Sequence, residues 1–196
     1  DLMDLPKKFK STKIGGGVLQ DTASSSSLVA LIAAREKTSK GDINKNGYNR
    51  KLTVYTSSQA HSSIEKAVKI AGIGKNNLRL VDVDDSFAMD VNHLRKLILQ
   101  DIDNGLQPSY ICATVGTTSS TAIDPVEEIG LICKEFGIWL HVDAAMAGPA
   151  ALCPEYRFIN NGVEYADSYT FNPHKWMLTN FDCSVFYVAK RELLID

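Results

Sequence analysis

Lys175 sits in Phe171-Asn172-Pro173-His174-Lys175-Trp176, after a proline-fixed turn and between a histidine and an indole. An amine held in such surroundings can lose its proton and become a nucleophile toward a carbonyl. Asp143 closes the apolar run of His141-Val142-Asp143-Ala144-Ala145-Met146-Ala147-Gly148, and the alanines after it leave room for something flat against the backbone. A carboxylate in that place needs a partner or it neutralises. A third stretch, Gly15-Gly16-Gly17-Val18-Leu19-Gln20-Asp21-Thr22-Ala23-Ser24, reads as a small-residue turn entering a helix. Free N–H groups and the helix dipole favour an anion such as phosphate there. It is neither a Walker loop nor a GxGxxG fingerprint. Each stretch alone also has a plain structural reading: a surface loop for the lysine, a helix cap for the aspartate, and turn and capping chemistry for the glycines and serines.

The elements that must position these residues follow from periodicity. Residues 24–37 predict a largely buried helix, with serines as its N-cap chemistry and an Ala/Leu-rich run behind them. Residues 38–50 are polar, contain two glycines and read as a surface loop. Short apolar runs at 52–56, 78–83, 110–115, 138–142 and 168–171 predict strands. Apolar residues at three- and four-residue spacing predict helices at 62–71, 91–103 and 125–136 between them. Pro125 suits the first turn of the last helix and Gly137 its C-terminal cap. Alternating strands and helices imply an α/β fold, a mostly parallel sheet with helices on both faces. Ligands of such sheets bind beyond the carboxyl ends of the strands, which is where Val115, Val142 and Phe171 lead.

Taken together, the three stretches match the needs of pyridoxal phosphate. That cofactor wants a phosphate cup, an anion that keeps its ring nitrogen protonated, and a lysine for its aldehyde. Protonated, the ring accepts the electrons left when a bond to an amino acid's α-carbon breaks.

The stretches HVDAAMAG and SYTFNPHKW, in their order and separation, closely resemble the group II pyridoxal-phosphate decarboxylases. GGGVLQDTASSSSLVALIAARE, SSQAHSSIEKA and ATVGTTSSTAIDPVEEIG are similar to other core segments of that family, so the resemblance covers essentially the whole chain. It implies a type I, PLP-dependent transferase-like large domain over residues 1–196 and a homodimer in the full-length protein. It implies Lys175 as the Schiff-base lysine and Asp143 as the partner of the ring nitrogen. Ala23 and Ser24 would bind the phosphate, with Asn172 and His174 near it. His61 would stack on the ring and contact substrate, Ala145 would pack on the opposite face, and Thr118 would contact the cofactor. The implied reaction is decarboxylation of an L-amino acid, aromatic by overall resemblance, to the amine and carbon dioxide. An aromatic aldehyde synthase or a glutamate- or cysteine-sulfinate-type decarboxylase could use the same scaffold. A relict, non-catalytic assembly protein and a generic nucleotide-binding domain are the readings from other classes. Animal and plant members usually carry Gly, then a Ser/Thr-Glu-Ala pattern, where this chain has Asp21 and Ser25-Ser26, and Tyr at Met146. Both departures resemble the bacterial aromatic decarboxylases. Relatives are more than twice as long, so an N-terminal segment, a C-terminal small domain and a mobile tyrosine-bearing loop are expected outside these residues.

Composition narrows the partners. The chain has 21 Lys and Arg against 23 Asp and Glu, 44% hydrophobic residues and a formal net charge of -2. Scattered, balanced charge gives no footprint for nucleic acid or a membrane surface. No apolar run approaches the roughly 20 residues that span a bilayer. The acidic start, Asp1-Leu2-Met3-Asp4, lacks a signal-segment pattern and an initiator Met. Cys112, Cys133, Cys153 and Cys183 have no CxxC pair, which argues against a zinc or redox motif and for free thiols in an intracellular, cytoplasmic protein. The expected ligand besides the cofactor is a small amino acid.

Overall fold

The computed structural model describes residues 2–48 and 50–195. Asp1, at the acidic start, and Asn49, in the loop expected over 38–50, lie outside the described residues.

Among the described residues seven strands form one sheet: β1 Gly16–Gln20, β2 Leu52–Ser57, β3 Leu78–Val81, β4 Gln107–Thr114, β5 Trp139–Asp143, β6 Ser168–Phe171 and β7 Ser184–Val188. Their order is β1-β7-β6-β5-β4-β2-β3. The five strands from β6 to β3 run parallel, while β7 pairs antiparallel with both β6 and β1. Six α-helices accompany them among the described residues: α1 Ala23–Ser39, α2 Asp42–Asn46, α3 Ser63–Ile70, α4 Val91–Asp103, α5 Val126–Phe136 and α6 Pro173–Trp176. Helices α1 and α3 pack together on one face of the sheet, and α4 and α5 on the other. The α/β layering expected from the alternating pattern is therefore the observed one.

Alternation along β5 explains the two cores. Leu140 and Val142 face α4 and α5, while Trp139 joins the residues under α1. His141 and Asp143 share the Trp139 face by the same two-residue period. All five residues of β5 are buried, as a central parallel strand covered on both sides must be.

Four expectations are corrected. The stretch from Gly15 is not one long anion-binding turn, because Gly16–Gln20 forms β1 on the sheet edge. Gly17 is there for close packing: a Cβ on it would lie 2.6 Å from the Tyr187 ring. The N-cap of α1 is Thr22, which places Ser24 to Ser27 inside the helix. The polar stretch 38–50 contains the short helix α2, stapled by Arg50 to Asp42 at 3.0 Å and by Asn46 to Asp42 at 2.7 Å. The strand expected over 78–83 ends at Val81, after which Val83 makes only an isolated bridge to Met89. Among the described residues no helix is long and apolar enough to cross a membrane.

Candidate active site

The carboxyl ends of β2, β4, β5 and β6 open onto a cleft of about 250 Å³. Ala23, Ser24, His61, Thr118, Asp143, Ala145, Asn172, His174 and Lys175 all line it, so the structure brings every residue singled out from the sequence to one place. Thr22, Ser63, Thr114, Gly116 and Phe181 line it too, and the sequence reading missed them. Thr114 had a usable signal, a hydroxyl closing the apolar run Tyr110 to Ala113; Phe181 lies in an irregular stretch with no periodicity. A larger groove of about 480 Å³ lies along β1 and β7 and is lined by none of these residues.

At one end of the cleft is the start of α1. The Thr22 hydroxyl accepts the Ser25 amide at 3.2 Å, and the Thr22 carbonyl accepts that of Ser26. The amides of Ala23 and Ser24, the first two of the helix, have no partner within it and remain for an anion. Asp21 stands beside this cup, fully exposed, its carboxyl held below the usual range by the Ser25 hydroxyl and then the Thr22 amide.

At the other end Asp143 is 5% exposed. Burial raises its carboxyl above the ordinary range, opposed by a hydrogen bond from the Ala145 amide at 3.1 Å and by the charges of Lys175 and His61. Neither side chain is within ion-pair distance of it. A buried carboxylate with one amide for company has acceptor capacity left over, and a cationic N–H is what would use it.

The two histidines are held as single tautomers by backbone amides. His61 Nδ1 accepts the Ser63 N–H at 3.2 Å at the start of α3, and His174 Nδ1 accepts the Cys183 N–H at 2.8 Å. Each neutral ring therefore carries its proton on Nε2 and offers it as a donor. The His174 ring also packs on Phe181 at 4.8 Å between centroids. Lys175 lies in the short helix α6, its amide bonded to the Asn172 carbonyl at 3.1 Å and its side chain exposed to the cleft.

Unpartnered polar atoms concentrate at these strand ends. Ser57 Oγ at the end of β2, Thr114 Oγ1 at the end of β4 and Asn172 Oδ1 just past β6 are buried without a hydrogen bond. Such atoms cost about 1–3 kcal/mol each unless something binds them. The loop after β4 is folded back by Asp124, whose carboxylate takes the amides of Met89 at 2.8 Å and Thr114 at 2.7 Å. Gly116 in that loop has φ +82°, and a Cβ on it would stand 2.6 Å from Ala147 Cβ. The donor set fits pyridoxal phosphate: an anion cup, an under-partnered buried carboxylate and an accessible amine facing one cleft.

Comparison with known proteins agrees with that fit. Residues 1–196 match the pyridoxal-dependent decarboxylase conserved domain. The chain is 50% identical to tryptophan decarboxylase 2 of Oryza sativa subsp. japonica over 199 aligned residues, covering 100% of this chain and 39% of that protein. It is 49% identical to phenylacetaldehyde synthase of Arabidopsis thaliana, with 98% of this chain and 39% of that one covered. The crystal structure of Catharanthus roseus tryptophan decarboxylase in complex with L-tryptophan superposes with a TM-score of 0.93 at 43% identity, over 99% of this chain and 42% of that one. The chain thus spans about two fifths of the length of the curated relatives it matches. It belongs to the pyridoxal-dependent decarboxylase family.

Proposed function

We propose that the complete protein containing this chain is a homodimeric, pyridoxal-phosphate-dependent carboxy-lyase that converts an aromatic L-amino acid to its amine and carbon dioxide. The observation that carries the reading is the convergence of Lys175, Asp143 and the free amides of Ala23 and Ser24 on one cleft. The similarity to a tryptophan decarboxylase supports the aromatic substrate class. So does an exposed Phe181 at the cleft wall.

When bound, the cofactor supplies an electron-accepting ring conjugated to a reactive aldehyde carbon. The chain's residues do the rest. Lys175 Nζ would hold the cofactor by its aldehyde carbon. The amides of Ala23 and Ser24 would bind its phosphate, with Asn172 and the His174 Nε2–H alongside. Asp143 would keep a proton on the ring nitrogen, which makes the ring a stronger electron sink. His61 and Ala145 would pack against the ring, and Thr118 would contact it from the loop after β4. The orientation in which the cleft holds the substrate's α-carboxylate would select loss of carbon dioxide over other bond cleavages.

The test is a panel of amino acids incubated with the complete protein, with amine release measured for each. An aromatic amine should form, and Lys175→Ala should remove both turnover and the visible absorption of lysine-bound cofactor. Persistence of that absorption in the variant would sink the assignment. A second outcome has its own support, since the phenylacetaldehyde synthase is nearly as similar as the tryptophan decarboxylase. Assaying aldehyde and hydrogen peroxide beside amine separates the two.

A further inference from the structure

A chain of buried polar groups links the two ends of the cleft from beneath. Trp139, His141, Ser27 and Ser168 are all 1% exposed or less. Trp139 Nε1 donates to Ser168 Oγ at 2.8 Å, the same oxygen lies 2.8 Å from His141 Nδ1, and His141 Nε2 lies 3.3 Å from Ser27 Oγ. Indole N–H can only donate, so Ser168 Oγ accepts from Trp139. A second lone pair or the hydroxyl proton of Ser168 then meets His141 Nδ1, and His141 Nε2 bonds Ser27 Oγ in the complementary sense. Burial drives the ring's basicity down to about 3, so it stays neutral at any working pH.

What these bonds join matters more than their number. Ser27 lies on α1, one turn beyond Ala23 and Ser24. His141 lies on β5, two residues before Asp143 and on its face of the strand. Ser168 starts β6, whose far end leads into Asn172 and Lys175. One imidazole therefore touches all three elements that carry the site. The His141 ring packs on Tyr110 and Phe186, at 6.0 and 6.3 Å between centroids, while the first buried residues of α1 are the small Ser26, Ser27 and Ala30. The neighbouring polar tie, Ser26 Oγ to Ser184 Oγ, is long at 3.5 Å. A rigid cofactor with phosphate at one end and a ring nitrogen at the other needs a fixed distance between the α1 start and Asp143.

We infer that His141 is a positioning residue of the cofactor site, holding the phosphate-binding start of α1 in register with the strand ends that carry Asp143 and Lys175. This rests on the pyridoxal-phosphate reading above. It acts through Ser27 and Ser168 and touches neither cofactor nor substrate.

The test compares the complete protein with Ser27→Ala, Ser27→Thr and His141→Asn, titrating each with pyridoxal phosphate and with phosphate-free pyridoxal. Ser27→Ala keeps helix propensity and removes only the hydroxyl that meets His141. It should weaken pyridoxal phosphate binding about tenfold while moving pyridoxal binding less than about twofold. His141→Asn, too short to span both serines, should do the same more strongly, and Ser27→Thr, which keeps the oxygen, should bind the phosphate form as the parent does. Equal weakening of both ligands, or none, overturns the inference. Lys175→Ala is run in parallel. If the parent fails to bind pyridoxal phosphate, or Lys175→Ala keeps its visible absorption, the functional reading falls and this inference with it; a normal Lys175 result with an unmoved Ser27→Ala overturns this inference alone.

Discussion

The Asp143 carboxyl is raised by burial, and only the Ala145 amide and the more distant charges of Lys175 and His61 pull the other way. A ring nitrogen that carries a proton would add a counter-charge in direct contact, so carboxylate and ring stabilise each other's charged forms. Asp143→Asn keeps the shape and removes that charge. Turnover in the complete protein should fall by about a hundredfold or more, the usual scale for losing a group aimed at developing charge. The measurement is kcat together with the absorption of bound cofactor, and a variant within a few-fold of the parent would contradict the role. Asp21 makes the opposite case. Its exposed carboxylate stands at the anion cup, where it competes with a phosphate for the same positive helix end. Asp21→Asn should tighten pyridoxal phosphate binding by about two- to fivefold at low salt, a gain that shrinks at high salt because exposed charges are screened. Titrating cofactor at two ionic strengths checks both the sign and the salt dependence.

Each element places its residues by local rules, and the rules differ in how far the sequence shows them. The loop after β4 is the tightest case. Gly116 combines φ +82° with a would-be Cβ contact of 2.6 Å to Ala147, so Gly116→Ala meets backbone strain and a steric clash together. It should cost about 1–3 kcal/mol, read as a lower urea midpoint, and should weaken cofactor binding as Thr118 is displaced. An unchanged midpoint would show that the loop adapts. The parallel strands were legible as short continuous apolar runs, α3, α4 and α5 by apolar residues at helical spacing, and α1 by serines ahead of an Ala/Leu-rich run. β1 was hidden by its glycines, which signal a turn by type but here pair in a strand, Gly17 against the Tyr187 ring. The segment from Gly148 to Tyr165 is a run of 3-10 turns with no period to read. At the site, Lys175 alone looks like a surface residue and is in fact exposed; only its convergence with Asp143 and the α1 start gives it meaning. Asp124 and Ser27 stayed invisible because their work is hydrogen bonding to partners distant in the chain, Met89 and His141.

Across the molecule, two buried groups with opposite shifts make stability depend on pH in a way one substitution can expose. Asp124 is pushed up to about 6 from an ordinary 3.8, chiefly by burial, with the Thr114 and Met89 amides opposing. A raised folded value means a contribution that is fully present below about pH 4 and lost as pH rises through 6, up to about 3 kcal/mol. His141 is pushed down to about 3 from 6.5 by burial. Its contribution is fully present above 6.5 and is lost as pH falls toward 3. Between pH 6 and 4 the two slopes have opposite sign, about 1.4 kcal/mol per pH unit each, and largely cancel. Asp124→Asn removes one of them. The variant should therefore lose stability on acidification more steeply than the parent, by about 1.4 kcal/mol per pH unit across that window. Taking the difference between the two proteins cancels every titrating group they share, including the exposed carboxylates paired with Lys69, Arg50 and Arg95. The measurement is the urea midpoint of both at half-unit steps from pH 4 to 7, with cofactor saturating throughout. A difference that does not vary with pH would mean that Asp124 is not titrating in the folded state, and that its two backbone bonds hold the loop after β4 equally well in acid.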